Sequence, residues 1–122
     1  MKSHRAEIDR RRHLLREKLR RLCLLPLMRG SIVARVRRCG RPGCACATDP
    51  QARHPGQYLS VSVEGRTQAV HLRPADAPVV REAIAGYEAL WATVTALTAV
   101  EVADLRRAAR ERQRGRRRRR PA

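Results

Sequence analysis

The sequence predicts an α+β fold: an N-terminal amphipathic helix, a small antiparallel three-stranded sheet with an inserted Cys/His zinc knuckle, and a long C-terminal helix. Three observations carry that prediction. Apolar residues recur at helical spacing in residues 1–27 and 75–112; β-branched residues alternate with polar ones in residues 28–74; and Cys39, Cys44, Cys46 and His54 crowd into one Gly/Pro-rich loop between the alternating stretches. The remaining residues, 113–122, form an Arg-rich tail predicted to be disordered, because its like charges repel and nothing in it can be buried.

In the first segment Ile8, Leu15, Leu19 and Leu22 form one stripe, with Ser3 placed to cap the helix, Glu7 and Asp9 in its early turns, and Pro26 and Gly30 ending it. The opposite face is predicted to carry Arg5, Arg12, Arg16 and Arg20, either as a stripe along a phosphate backbone or as an ordinary solvated surface. Cys23, within Leu22-Cys23-Leu24-Leu25, reads as a buried apolar thiol.

The stretch Ser31 to Arg37 reads as a strand leading into the cysteine loop. Tyr58 to Val63 alternates Leu59, Val61 and Val63 with Tyr58, Ser60 and Ser62. Glu64-Gly65-Arg66 is a turn and Thr67 to Arg73 the return strand, so residues 57–73 form a hairpin. After Pro74, the positions Val80, Ile84, Tyr87, Trp91, Val94, Thr98, Val102 and Leu105 form a heptad seam with one stutter. It predicts packing against the first helix or a second copy of the chain.

The cysteine loop carries the most specific chemistry. Thiolate and imidazole are the ligands a tetrahedral zinc ion takes at bonds of about 2.0–2.3 Å, and Gly40, Pro42 and Gly43 supply the sharp turns between ligands. Cys39, Cys44, Cys46 and His54 would close the coordination shell, so the metal is expected to be structural. His71 is a substitute if His54 points away, and thiols that only pack or form a redox pair are the other reading. A closed shell, with no carboxylate in the loop except Asp49, predicts that the protein is not an enzyme.

The net charge of +17 is uneven. Residues 1–47 balance at +11, residues 48–105 at −3 and residues 106–122 at +9. Two basic ends attract polyanions, since each neutralised phosphate releases condensed counterions. The residues predicted to contact nucleic acid are Arg12, Arg16, Arg20, Arg37, Arg38, Arg41 and Arg116, Arg117, Arg118, Arg119 and Arg120. With only Tyr58, Tyr87 and Trp91 as aromatics, duplex or structured substrates are expected over stacked single strands. Abundant arginine with almost no lysine also fits a GC-rich coding bias, which explains the choice of cation but not the excess of positive charge. No membrane span or signal segment is expected, so the reading is a cytoplasmic protein whose cysteines are reduced or metal-bound.

Arg29-Gly30-Ser31-Ile32-Val33, Cys39-Gly40-Arg41-Pro42-Gly43-Cys44-Ala45-Cys46-Ala47 and His54-Pro55-Gly56-Gln57-Tyr58, followed by a hairpin and a long helix, form a recognisable order. In it the chain resembles a family of small uncharacterised prokaryotic proteins, often encoded near transposases, over about residues 28–100. The family's usual His-Gly-Pro-Tyr order is altered here, and its run of tyrosines is reduced to Tyr58. The resemblance implies the fold and the metal site. Together with the charge, it suggests a zinc-stabilised nucleic-acid-binding accessory protein associated with a transposase or recombinase. The alternative is a coiled-coil interaction module that pairs with itself or a partner through the long helix.

Overall fold

A computed structural model describes residues 3–120. In chain order these form α1 (His4–Cys23), β1 (Ser31–Arg37), two short 3-10 turns at Ala45–Ala47 and Pro50–Ala52, β2 (His54–Val63), β3 (Arg66–Leu72) and α2 (Asp76–Arg119). The predicted α+β architecture is the one observed. The chain divides into two compact units, Met1–Leu25 with Ala89–Ala122, and Pro26–Glu88.

In the unit Pro26–Glu88 the sheet is antiparallel in the order β1-β2-β3. Cross-strand pairing sets Ile32 beside Leu59 and Leu59 beside Val70, so alternate residues share one face. That face buries Leu59 and Leu72 against Val80 of α2, with Met28, Ile32, Val61 and Ile84 around them. The core is small. Gly86 explains itself here: a Cβ would lie 3.2 Å from the Leu27 side chain and 3.3 Å from the Pro26 carbonyl oxygen, so its absence lets the chain entering β1 run close to the helix. Met28 N–H donates to the Ala83 carbonyl on the same helix face, at 3.0 Å.

The hairpin turns tightly at Glu64 (φ 52°) and Gly65 (φ 76°), both in the left-handed region, as the two-residue connection between paired Val63 and Arg66 requires. β2 begins earlier than its alternation suggests, at His54, because Pro55 and Gly56 pair with Val36 and Arg35 of β1. They lie outside the stretch paired to β3, which starts at Gln57, so the missing proline N–H breaks no ladder bond on that side.

In the other unit Ser3 caps α1 by accepting the Ala6 N–H at 3.3 Å. Ile8, Thr93 and Val100 are buried, and Leu15, Leu19 and Leu22 half-buried; Cys23, expected to be buried, is exposed, since it falls in the last turn of α1 beside exposed Leu24 and Leu25. The predicted heptad seam on α2 breaks at Trp91. Val80 is buried and Ile84 and Tyr87 half-buried, but Trp91 is 62%, Val102 37% and Leu105 70% exposed, while Thr93 and Val100 take the inward positions. A strict heptad drifts on a straight helix, so the residues that meet one neighbour early in a long helix are not in register with those that meet another later.

Residues 113–119, predicted to belong to a structureless tail, are helical. Arginine is a good helix former, its charge complements the C-terminal end of the helix dipole, and no proline intervenes before residue 121. Contrary to the sequence expectation, α2 is long and apolar enough to cross a membrane by length and composition alone. It holds an 18-residue window of mean hydropathy 1.3, most of it exposed. The cause is the run of Ala, Thr, Val and Leu between Glu88 and Glu101, which contains no charge.

Candidate metal centre and basic face

The cysteine loop is closed by the sheet. Arg37 at the end of β1 pairs with His54 at the start of β2, so Cys39, two residues beyond Arg37, begins beside the fourth candidate ligand. Gly40 (φ 76°) and Gly43 (φ 80°) then take left-handed conformations that reverse the chain between Cys39 and Cys44. Cys44 is extended, and the 3-10 turn that follows it, with Ala47 N–H bonded to the Cys44 carbonyl at 3.2 Å, curls Cys46 back. That turn is how two cysteines one residue apart reach one point.

The Sγ atoms of Cys39, Cys44 and Cys46 and a ring nitrogen of His54 all lie within 4.8 Å of one another. Cys39 Sγ is 3.4 Å from Cys46 Sγ, and Cys44 Sγ is 3.3 Å from His54 Nε2. Ligand atoms at about 2.0–2.3 Å from a tetrahedral zinc ion stand about 3.5–3.8 Å from each other, so the four residues fit such an ion with small adjustments. Two backbone groups already face the sulfurs: Cys39 N–H donates to Cys46 Sγ at 3.3 Å and Arg41 N–H to Cys39 Sγ at 3.4 Å. Donors of this kind stabilise negative sulfur and orient it. No disulfide forms, and Cys46 is buried at 2% exposure.

The thiols do not titrate alike. Cys46 is held below the ordinary thiol value, chiefly by the Cys39 N–H and also by the charge of Arg38. For Cys44 the Cys46 backbone pulls downward, but the Cys46 and Cys39 thiols and burial together push it up. Three thiols in this space resist joint ionisation until a cation neutralises them.

His71 does not belong to the cluster. It sits across from Tyr58 on the open face of the sheet, the two rings edge to face at 5.2 Å. The same alternation puts Arg35 and Arg37 on that open face, and Arg38 and Arg41 follow in the loop. All four are exposed, and none of the ion pairs among the described residues involves them.

The helix arginines divide. Arg12, predicted to face outward for nucleic acid, is turned inward with a side chain only 15% exposed. It pairs with Asp9 and Asp104, each at 2.7 Å, and with Glu101. It stands four residues after Ile8 and three before Leu15, so it fills the gap in the apolar stripe, and its carboxylate partners lie far away in sequence. Arg16 and Arg20 are exposed, Arg20 bonded to Glu17 at 2.6 Å. Arg116, Arg117, Arg118 and Arg119 are exposed in the last turn of α2, and Arg120 follows them. Arg35 was missed by sequence reading; its place two residues before Arg37 on a strand was the available signal.

No curated protein and no solved structure matches the chain. Residues 5–82, spanning α1, the sheet, the cysteine cluster and the start of α2, match the family described as Domain of unknown function (DUF6788), and the chain belongs to that family.

Proposed function

We propose that this chain is a small zinc-stapled nucleic-acid-binding module, in which the metal holds the loop that presents a basic face. The observation that carries the reading is the group Arg35, Arg37, Arg38 and Arg41, exposed and, among the described residues, without carboxylate partners, in the strand and loop that carry the Cys39–Cys44–Cys46–His54 cluster. Four protein ligands fill a tetrahedral shell, so the metal's contribution here is to folding. Guanidinium groups donate to phosphate oxygens in a forked geometry that needs no base sequence, which gives affinity with little specificity. The exposed arginines in the last turn of α2 are a second basic group on the chain. Tyr58 and His71 offer one ring pair rather than a run of stacking surfaces, which favours duplex or structured nucleic acid. Action beside a transposase or recombinase is part of the proposal and is tested separately, by co-purification with an enzyme encoded next to this chain.

The direct test is fluorescence anisotropy with a short duplex and a single strand of equal length, each titrated across salt. The reading expects tighter binding to the duplex and an affinity that falls about 10³-fold or more between 50 and 200 mM salt. Affinity that hardly moves with salt would overturn it.

A further inference from the structure

Along α2, Glu88, Trp91, Thr95, Thr98, Val102, Leu105, Ala109 and Arg112 recur at alternating steps of three and four residues, and every one of them is exposed. This is a heptad stripe. It lies on the side of the helix opposite buried Thr93 and Val100. It contains the chain's single tryptophan at 62% exposure and Leu105 at 70%. Exposure of that size along one seam is what an unmade helix contact looks like.

The stripe can be covered without orphaning polar groups. Thr95 donates its hydroxyl to the Trp91 carbonyl at 3.0 Å, and Thr98 donates to the Val94 carbonyl at 2.9 Å. Both threonines therefore meet a neighbour with their hydrogen-bond donors already used.

We infer that this stripe is the interface of a homodimer in which two α2 helices run antiparallel about a two-fold axis at the level of Val100. The register follows from the residues. Antiparallel pairing centred there sets Thr98 against Val102, Thr95 against Leu105, Trp91 against Ala109 and Glu88 against Arg112 of the second copy. The largest residue meets the smallest, and the one acid meets the one base. Sliding the helices by a heptad either way breaks this: one direction sets Glu88 on Leu105, the other Trp91 on Arg116. A parallel pair would stack Glu88 on Glu88 and Arg112 on Arg112. Neither Glu88 nor Arg112 forms an ion pair among the described residues, so both charges are available to the partner. The isologous symmetry means each pair occurs twice.

Sedimentation equilibrium of the full chain tests the inference, with Glu88→Arg and Arg112→Glu made singly and together. The wild type is expected to dimerise reversibly in the micromolar range, with Trp91 emission shifting to the blue as concentration rises. Each single swap sets like charges opposite each other twice and is expected to weaken the dimer roughly tenfold, and the double swap to restore it. Leu105→Asp is expected to abolish the dimer, with helix content by circular dichroism as its folding control. A wild type that stays monomeric at 100 µM would overturn the inference. So would a dimer indifferent to Leu105→Asp and both swaps, or a monomer whose Trp91 emission shifts only with neutral phosphatidylcholine vesicles, which would make the stripe a lipid contact.

Discussion

Arg12 and Arg37 carry the same guanidinium and work in opposite surroundings. Arg12 and Arg107, each about 15% exposed at the side chain, sit in a chain of ion pairs with Asp9, Glu101, Asp104 and Glu111. Arg37 and its neighbours Arg35, Arg38 and Arg41 pair with no carboxylate among the described residues, and Arg37 sits across from His54 of the Cys/His cluster. The two units are thus held in different ways: one joins its helices through arginine and carboxylate, the other closes a small apolar core with a candidate metal site. The comparison teaches that charge is informative only after internal pairs are removed. A net +17 says that arginine is in excess; the position of the acids says which arginines are free to meet phosphate.

The largest effect is expected from the ligands. Cys44→Ser removes one of four donors, and metal-linked folding free energy is on the order of 10 kcal/mol. Amide exchange should then show the strands Ser31–Arg37, His54–Val63 and Arg66–Leu72 losing protection while His4–Cys23 keeps it. Equal loss in both would remove the distinction between the units.

Next comes the exchange of roles between arginines. Replacing Arg35, Arg37, Arg38 and Arg41 together by Ala is expected to flatten the salt dependence of nucleic-acid affinity by about three to four phosphate contacts. Arg12→Met should leave that slope unchanged and instead lower the melting midpoint by roughly 4–8 °C, because it removes the ion-pair partner of Glu101 and leaves Asp104 with Arg107 alone. A swap of these two phenotypes would refute the assignment.

The acid side of the stability profile sharpens the same contrast. Glu101 is lowered from its ordinary 4.5, chiefly by Arg12, and Asp104 from 3.8, chiefly by Arg107 and then Arg12. Carboxyls depressed in the folded state contribute stability that is complete above their unfolded values and is lost as pH falls through the lower folded ones. Thermal melts should therefore be level in this contribution above about pH 5 and decline below about pH 4. Protonation of the thiol and imidazole ligands also destabilises at low pH, but it is shared with Arg12→Met, so the difference between the two profiles isolates the ion pairs. A difference that does not shrink on acidification would contradict the pairing.

The smallest expected effect is at the hairpin. Glu64 holds φ 52° in a two-residue turn where Asn is better suited, and Glu64→Asn should raise stability by on the order of 0.5 kcal/mol. Denaturant midpoints would register it.

Legibility in the sequence followed how local the cause was. The clustering of Cys39, Cys44, Cys46 and His54 was readable because Gly40 and Gly43 serve turns within the same loop, and the hairpin because Glu64-Gly65 lies between two alternating stretches. The entry of His54, Pro55 and Gly56 into β2 was hidden, since it depends on pairing with β1 and overrides a turn-like composition. Arg12 was misplaced because its partners Glu101 and Asp104 lie on another helix. The exposure of Trp91 and Leu105 was equally out of reach: a heptad pattern states that a seam exists, and packing decides which neighbour it faces.

The account depends most on the claim that the four residues hold a structural metal. Native mass spectrometry of the full chain, purified without added metal and measured before and after chelation, tests that claim directly. The account predicts one zinc ion per chain and a shift of the whole distribution to higher charge states once the ion is removed. A chain that is metal-free as purified and folded, with a charge-state distribution indifferent to chelator, would contradict it.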